Sequence, residues 1–207
     1  MSREIELSCR CGSVRGRVSA APADVINRAV CYCEDCQAFA HWLQRRDLLN
    51  AHGGSDIAQV APAAVRFENG QDRIRCVRLT EKGLFRWYAS CCNTPVGNTL
   101  KPAIPFVGIL VHTFAGGPAA ADTTLGPSRG TFRGERATGE LPKQELGFPV
   151  GVILRALARV LMVRLRGRGW PNPFFGREGQ PLYAVQILTA AERDALRPLC
   201  GPAAAAS

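Results

Sequence analysis

The sequence concentrates cysteines at positions whose spacing suits metal binding. Cys31, Cys33 and Cys36 lie in the short stretch CYCEDC. Thiolates are ligands that zinc prefers, and the C-x-x-C spacing of Cys33 and Cys36 lets one tight turn direct two sulfurs at one ion. Because zinc is usually tetrahedral, a three-thiolate loop leaves one position for a distant residue, a water molecule or a substrate.

Two further cysteine pairs lie far from this loop in the sequence. Cys9 and Cys11 are two residues apart, so on an extended chain their sulfurs leave the same face; they are either half of a metal site or two small core residues. Cys91 and Cys92 are adjacent, and on a straight strand they point to opposite faces. They can bind one ion together only if the chain turns there, and Asn93 tolerates the left-handed conformation that such a turn uses.

Composition limits the kind of protein to which these cysteines belong. The chain has 207 residues and 46% hydrophobic content, which is enough to bury a core without a metal. Nine cysteines, odd in number and clustered, argue against a disulfide framework and favour metal binding in a reducing compartment. The first residues carry charges and no apolar run, so we expect neither a secretory signal nor an anchor, and a cytoplasmic location. The net charge of +9 comes mostly from dispersed arginines, which favours a solvated surface over a nucleic-acid-binding face.

The hydrophobic pattern predicts a mainly β chain up to residue 114. Alternating residues predict a hairpin of strands 4–9 and 14–18, and Asn69-Gly70 is a hairpin signal between later strands. Cys76 alternates with Ile74 and is predicted to be a core residue. The segment 116–139 is rich in Gly, Ala, Thr and Pro and predicts loops with short strands. The remaining elements are predicted as a helix at 37–49 and strands at 58–60, 65–68, 74–79, 84–88 and 107–114.

The order of the cysteine motifs resembles a known family. CRCG at positions 9–12, CYCEDCQ at 31–37 and a cysteine before Thr94-Pro95 are similar to the motifs of the glutathione-dependent formaldehyde-activating enzyme (GFA/CENP-V) family. The resemblance implies an antiparallel β-tent over residues 1–142. It also implies a structural zinc held by Cys9, Cys11 and Cys92 and a second zinc held by Cys31, Cys33 and Cys36, with an open position for a glutathione sulfur that adds to formaldehyde.

The sequence departs from that family at the last motif. The family's first cysteine there falls on Ala89 and its glycine on Asn93, so Cys91 is an extra thiol. If Cys91 replaces the missing structural ligand, the seven clustered cysteines divide four and three and the loop metal stays open. If it turns towards the loop, they divide three and four and the loop metal is closed. We favour the first division, because three-ligand structural zinc sites are rare.

Residues 143–207 form a predicted extension to the zinc-binding domain. Residues 149–166 predict an amphipathic helix that is too short and too charged to span a membrane, with arginines on one side and an apolar face on the other. This face is predicted to pack on its own domain or on a twin subunit in a homodimer, and peripheral contact with an anionic membrane is the alternative. A strand at 182–188 and a helix opened by a Thr189/Glu192 capping box follow.

Several other residues that could bind metal or transfer protons are predicted to have minor roles. His41 is predicted to be solvated rather than a metal ligand, and His112 to have a structural role, with proton donation near the zinc as the alternative. Glu34 and Asp35 either tune the loop thiolates, relay protons or are only solvated. Cys200 is expected to be free in a mobile tail.

Three function classes follow from these observations. The first is a zinc-dependent carbon–sulfur lyase that joins or separates a thiol cofactor, glutathione or a similar thiol, and a small aldehyde such as formaldehyde. The second is a non-catalytic zinc-stabilised module that uses its basic helix to bind a partner. The third, a nucleic-acid binder, is disfavoured because no reader motif or stacking platform is evident.

Overall fold

The computed structural model describes residues 3–20, 25–146 and 149–201. These residues form a mainly β protein with two sheets and four α-helices, which confirms the predicted class. The helices are α1 (Glu34–Trp42), α2 (Gly117–Leu125), α3 (Val150–Leu165) and α4 (Ala190–Leu196). The strands are β1 (Arg3–Ser8), β2 (Arg15–Ala20), β3 (Val25–Cys31), β4 (Ser55–Val60), β5 (Val65–Asn69), β6 (Ile74–Arg78), β7 (Phe85–Ala89), β8 (Thr94–Thr99), β9 (Val107–Leu110), β10 (Thr131–Phe132) and β11 (Val185–Ile187).

The smaller sheet has three antiparallel strands in the order β1-β2-β5. Along β1, Ile5 and Leu7 are buried and their polar neighbours Glu4 and Glu6 are exposed, as the two-residue period of a half-buried strand requires. β1 and β2 form the predicted hairpin. The connection between these two strands carries the first cysteine pair.

The larger sheet has eight strands in the order β10-β3-β4-β9-β8-β7-β6-β11. Its six central strands are antiparallel neighbours, and β10 and β11 add parallel to β3 and β6 at the two edges. Cys31 is the last residue of β3, and the turn between β7 and β8 carries Cys91 and Cys92. The two sheets thus bring all three cysteine motifs to strand ends.

The hairpin predicted at Asn69-Gly70 is wrong, because the strands on either side belong to different sheets. β5 pairs with β2, whereas β6 pairs with β7. Gly70 has a left-handed φ of 73°, and a Cβ built there would lie 2.2 Å from the carbonyl oxygen of Ser13. The glycine therefore lets the chain pass from one sheet to the other close to the β1–β2 connection. The hairpin signal had predicted that the two flanking strands pair with each other.

The main core is organised around Trp87 of β7. Its ring stacks on Phe174 at a centroid distance of 4.9 Å and meets Phe175 edge-on at 5.5 Å. All three rings are fully buried, and Gly97 of β8 leaves the space that Phe174 fills. Replacing a ring of this kind by alanine typically costs about 3–5 kcal/mol. Residues beyond 142 therefore share a core with the β-sheets, while the division at 142/143 stays a prediction.

Several predicted boundaries differ from the structure. Strand β8 was not predicted, and the 116–139 segment contains the helix α2 in addition to loops. The helix predicted at 37–49 begins earlier, at Glu34, and gives way after Trp42 to a short 3₁₀ turn. The sequence also predicts a loop with a short strand from Ala21 to Ala29; Ala21 to Asp24 lie outside the described residues, and Val25 to Ala29 belong to β3. The capping box that joins Thr189 and Glu192 is confirmed at the start of α4.

Helix α3 leaves the leucines of its predicted docking face exposed. Leu157, Leu161 and Leu165, which belong to the predicted docking face, are 60%, 55% and 72% exposed. Arg155 instead lies against the sheet, where its Nη2 donates to the backbone oxygen of Arg129 at 2.9 Å. The expectation that the apolar face packs on its own domain therefore fails for these three leucines, whereas Val152 of the same face lies beside Gly130.

Residues 149–166 were predicted to be too short and too charged to span a membrane, and the length of α3 can now be compared with that prediction. The helix itself has 16 residues, which is about 24 Å and shorter than the roughly 30 Å hydrocarbon core. Counted from Lys143 to Leu165, a stretch that includes residues outside the described ranges, the segment is long and apolar enough to cross a membrane by length and composition alone. Only 6% of its apolar window is buried.

Candidate metal centres

The first candidate centre joins the ends of the two sheets. Cys9 and Cys11 come from the β1–β2 connection, and Cys91 and Cys92 come from the β7–β8 turn. Their four sulfur atoms lie within 4.8 Å of one another. The sulfur of Cys91 is 3.3 Å from that of Cys11 and 3.9 Å from those of Cys9 and Cys92.

A left-handed residue allows the two adjacent cysteines to face the same site. Asn93 has a φ of 53°, and the amide of Cys92 donates to the carbonyl oxygen of Ala89 at 3.3 Å. The chain therefore turns at Cys91 and Cys92 instead of remaining extended. The turn removes the alternation that would have pointed the two sulfurs in opposite directions.

The spacing of these sulfurs fits a tetrahedral metal site. A zinc–sulfur bond of about 2.3 Å places the sulfurs of a tetrahedral four-thiolate site about 3.8 Å apart. The sulfur contacts here span 3.3 Å to 3.9 Å, and all four cysteines are free thiols. The donor set therefore fits a zinc ion of the structural type, with every coordination position filled by protein.

Hydrogen bonds around the cluster favour thiolate over thiol. The hydroxyl of Thr94 accepts from the backbone amide of Arg10 and from the guanidinium of Arg45, each at 3.1 Å. A hydroxyl has one proton to donate, so the proton of Thr94 is left for the sulfur of Cys92 at 3.2 Å. The amide of Val14 donates to the sulfur of Cys9 at 3.2 Å. These donors stabilise negative charge on sulfur.

The thiols of this cluster differ in acidity because their surroundings differ. Burial raises the pKa of Cys9, and burial together with contacts from the other thiols raises the pKa of Cys91 to about 12. Hydrogen bonds with Ser13 lower the pKa of the exposed Cys11 to about 6. In the metal-free protein, Cys11 therefore ionises more readily than Cys9 or Cys91.

The second candidate centre lies where β3 leads into α1. Cys31 ends the strand, Cys33 is the residue before the helix, and Cys36 lies in its first turn. Their three sulfurs lie within 4.8 Å of one another, with 3.3 Å between those of Cys31 and Cys33. The positive end of the helix dipole faces this turn, so the position favours negative charge on sulfur.

A buried arginine lies directly behind this second cluster. Arg86 of β7 is 1% exposed, and its Nη1 is 3.9 Å from the sulfur of Cys36. Its Nε and Nη2 have no hydrogen-bond partner among the described residues, and the carboxylate of Asp35 is 3.8 Å from Nη2. An arginine that is buried without full hydrogen bonding is costly unless it faces an anion. The sulfur of Cys36 and the carboxylate of Asp35 are the anionic groups that it faces.

The acidities of the three thiols reflect this arrangement. Hydrogen bonds from Cys31 and Cys33, together with the charge of Arg86, lower the pKa of Cys36 well below its usual value. The pKa of Cys31 is raised, mainly because its thiol donates to Cys33. The pKa of Cys33 rises to about 12 through its contact with Cys36 and through burial, which outweigh the opposing effect of Cys31. The metal-free cluster therefore holds its first negative charge at Cys36.

Gln37 fixes the second cluster to distant parts of the chain. The residue is fully buried, and its side-chain amide donates to the carbonyl oxygens of Tyr32 at 2.7 Å and Arg136 at 2.9 Å. Its side-chain oxygen accepts from the amide of Gly201 at 2.7 Å. One side chain thus ties together the cysteine loop, the segment after β10 and the C-terminal segment.

A cleft of about 320 Å³ opens at the second cluster. It is lined by Cys33, Glu34, Asp35, Phe132 and Arg133. A neighbouring apolar groove of about 330 Å³ also includes Phe132 and Arg133 and extends towards the start of α3. Within the described residues, the three-cysteine cluster therefore borders on space that a small molecule can enter.

Comparison with known proteins places the chain in a family. Residues 1–186 match the model of a family described as "Family of unknown function (DUF6151)". The chain belongs to this family. The DUF6151 match continues across the predicted division at residue 142.

Other comparisons of this DUF6151 member give little more. A structural-genomics crystal structure of a Rhodobacter sphaeroides protein is similar to it, with a TM-score of 0.42 and 18% identity. The similarity covers 61% of this chain and 98% of the other. No curated protein matches the chain.

The structure of this DUF6151 member groups the seven predicted ligand cysteines four and three. Cys91 lies with Cys9, Cys11 and Cys92, and the loop cysteines form the other group. Among the described residues, neither His41 nor His112 belongs to a cysteine cluster. His41 lies in the last turn of α1, and His112 lies in a 3₁₀ turn after β9, where burial lowers its pKa.

The outcomes for the two remaining cysteines differ. Cys76 is 1% exposed in the main core, as predicted. Cys200 was expected to lie in a mobile tail, but it packs beside α1 and its thiol donates to the carbonyl oxygen of Leu196 at 3.3 Å. Burial raises its pKa to about 11.

Sequence reasoning missed Arg86 and Arg133, two arginines near the loop. Arg86 stands between Phe85 and Trp87 in a strand of otherwise apolar residues, and a charged residue at such a position was the available signal. Arg133 has a left-handed φ of 60°, which no residue pattern indicated.

Proposed function

We propose that this protein binds two zinc ions and acts as a carbon–sulfur lyase on adducts of a thiol cofactor and a small aldehyde. One observation carries the proposal: a three-cysteine cluster faces a cleft, while Cys91 completes a separate four-cysteine cluster. A tetrahedral ion in the first cluster would keep one position for a substrate, and an ion in the second would not. The motifs and the two-sheet arrangement support kinship with the glutathione-dependent formaldehyde-activating enzymes and their β-tent.

Cys31, Cys33 and Cys36 would hold the reactive ion. Zinc in such a site lowers the pKa of a bound thiol so that it is held as thiolate near neutral pH. Three thiolates carry one more charge than a divalent ion neutralises, and Arg86 behind Cys36 balances that excess. Its burial keeps this charge fixed and shielded from water.

The cleft residues have separate roles in the proposed reaction. Arg133 lies at the cleft and is a partner for a carboxylate of a glutathione-like thiol, although its Nε is also 3.0 Å from Glu135. In the forward direction the substrate sulfur forms a bond to the carbonyl carbon, and the carbonyl oxygen takes up a proton. The proton that the thiol loses on binding returns to this oxygen, and Asp35, which lines the cleft at 3.8 Å from Arg86, would relay it.

Cobalt substitution tests the proposal directly. We expect two cobalt ions per chain, and addition of glutathione should change the thiolate-to-cobalt absorption of only one of them. The variant Cys33→Ser should abolish this change, whereas Cys200→Ser, which lies outside both clusters, should preserve it. If glutathione and other small thiols leave the spectrum of the wild-type protein unchanged, the proposed activity is wrong.

The alternative is a zinc-stabilised binding module without catalysis. The exposed apolar face of α3 favours it, because such a face suits a binding partner. Under this alternative both ions would be structural, and the cobalt spectrum would not respond to thiols. Formaldehyde consumption in the presence of glutathione would also be no faster than without the protein.

A further inference from the structure

Helix α3 presents an apolar stripe to solvent. The stripe residues recur at intervals of three and four, so they lie along one side of the helix. Their exposed fractions run from 53% to 72%. The apolar stripe consists of Val150, Leu154, Leu157, Leu161 and Leu165.

The other side of the helix is held to the protein by polar contacts. The side-chain amide of Asn27 donates to the carbonyl oxygen of Val152 at 3.0 Å, and that of Gln59 donates to the carbonyl oxygen of Ala156 at 3.3 Å. Val163 is buried on this side. The helix therefore cannot roll to bury its stripe without breaking these bonds.

The charged residues of the chain segment that contains the stripe have one sign. Between Glu145 and Glu178 the sequence contains six arginines and no aspartate or glutamate. Arg164 and Arg166 are exposed near the end of the helix, and Trp170, which is 41% exposed, follows. Exposed leucines, clustered arginines and a nearby tryptophan are the residue types that enter the boundary between acyl chains and anionic headgroups.

We propose that α3 docks this protein on an anionic phospholipid membrane, with the apolar stripe at the acyl boundary and the arginines at the headgroups. The 16-residue helix is shorter than the hydrocarbon core, so it lies in the plane of the membrane. A second copy of the chain fits less well, because pairing two identical helices would bring two acid-free, arginine-rich segments together.

Vesicle co-sedimentation tests this docking with the full-length, reduced, zinc-loaded protein. We expect binding to vesicles of phosphatidylcholine with 30% phosphatidylglycerol, and at least about tenfold weaker binding to pure phosphatidylcholine. Raising sodium chloride to about 0.5 M should also weaken binding, since it screens the arginines.

Two matched variants locate the surface. Leu157→Asp places a charge in the stripe and should weaken binding at least about tenfold. Leu199→Asp changes a leucine that is 50% exposed away from α3 and should change binding less than about twofold. Circular dichroism and zinc content, matched to the wild type, show that both variants are folded.

Three results would overturn the proposal. The first is no binding to anionic vesicles, and the second is equal binding to neutral vesicles. The third is a dimer in light scattering that Leu157→Asp dissociates while vesicle binding is absent, which would assign the stripe to a second copy. None of these results depends on the thiol chemistry of the cysteine loop, so lyase activity can succeed or fail independently.

Discussion

The two cysteine clusters use the same ligand atom at similar spacing but have different surroundings. The four-cysteine cluster joins two turns and is supported by donors such as the amide of Val14 and the hydroxyl of Thr94. The three-cysteine cluster lies at the start of a helix, with the buried guanidinium of Arg86 behind it and a cleft beside it. Space also opens beside Cys91 and Cys92, so under the proposed function the number of ligands, more than access or ligand type, would separate a structural ion from a reactive one.

The largest effect is expected from breaking the four-cysteine cluster. Cys92→Ser removes one ligand of the proposed structural ion and should lower the free energy of unfolding by at least about 3 kcal/mol, or prevent folding. Urea denaturation of the zinc-loaded protein measures the change. Cys200→Ser is the matched control and should cost less than about 1 kcal/mol. Equal effects of the two substitutions would refute a structural role for the cluster.

A smaller effect is expected from Arg86→Met, which removes the charge behind the loop while keeping much of its volume. The affinity of the three-cysteine cluster for zinc should fall roughly 10- to 100-fold, because its excess negative charge loses a partner. The affinity of the other cluster should not change. Competition with a chromophoric chelator resolves the two ions.

Arg86→Lys and Arg75→Met are the controls for that measurement. Arg86→Lys keeps the charge and should restore part of the affinity. Arg75 lies on the neighbouring strand β6 and is exposed, so Arg75→Met should leave both ions unaffected. A loss of both ions from Arg86→Met would mean that the substitution acts through folding instead of charge.

Thr94→Val tests whether the hydrogen bonds around the four-cysteine cluster stabilise the protein. It removes the hydroxyl that accepts from Arg10 and Arg45 and donates to Cys92. Leaving those donors unpaired should lower the free energy of unfolding by about 1–3 kcal/mol. Thr94→Ser retains the hydroxyl and should recover most of it. If valine is tolerated as well as serine, the hydroxyl does not support the cluster.

The smallest effect concerns pH. Burial lowers the pKa of His112 in the folded protein. Just below about pH 6.5, this histidine is therefore protonated to a greater extent in the unfolded chain than in the folded protein. The contribution of this group to stability is therefore full above that pH and declines as the pH falls further. His112→Asn should flatten the fall in melting temperature between pH 7 and pH 5. An unchanged slope would contradict this assignment.

The sequence predicted some elements well because their signals are local. The β1–β2 hairpin follows from the alternation of Ile5 and Leu7, and the capping box at Thr189 from a fixed spacing. The grouping of Cys91 with Cys9 depends on the turn at Asn93, which the sequence allowed but did not require.

Other elements depend on contacts between distant residues. Strand β8 contains Pro95, Gly97 and Asn98, which are uncommon in strands, and it forms because β7 and β9 pair with it and Phe174 fills the space at Gly97. The placement of Arg86 behind Cys36 joins two residues 50 positions apart. No local pattern predicts such a contact.

The bond between Gln37 and Gly201 has a practical consequence. It anchors the last described residue next to the residue that follows Cys36. A polyhistidine tag placed within a few residues after Gly201 would therefore hold imidazole groups within reach of the loop. Such a tag would compete for zinc and distort any count of bound ions, and a removable tag at the other end of the chain avoids this anchor.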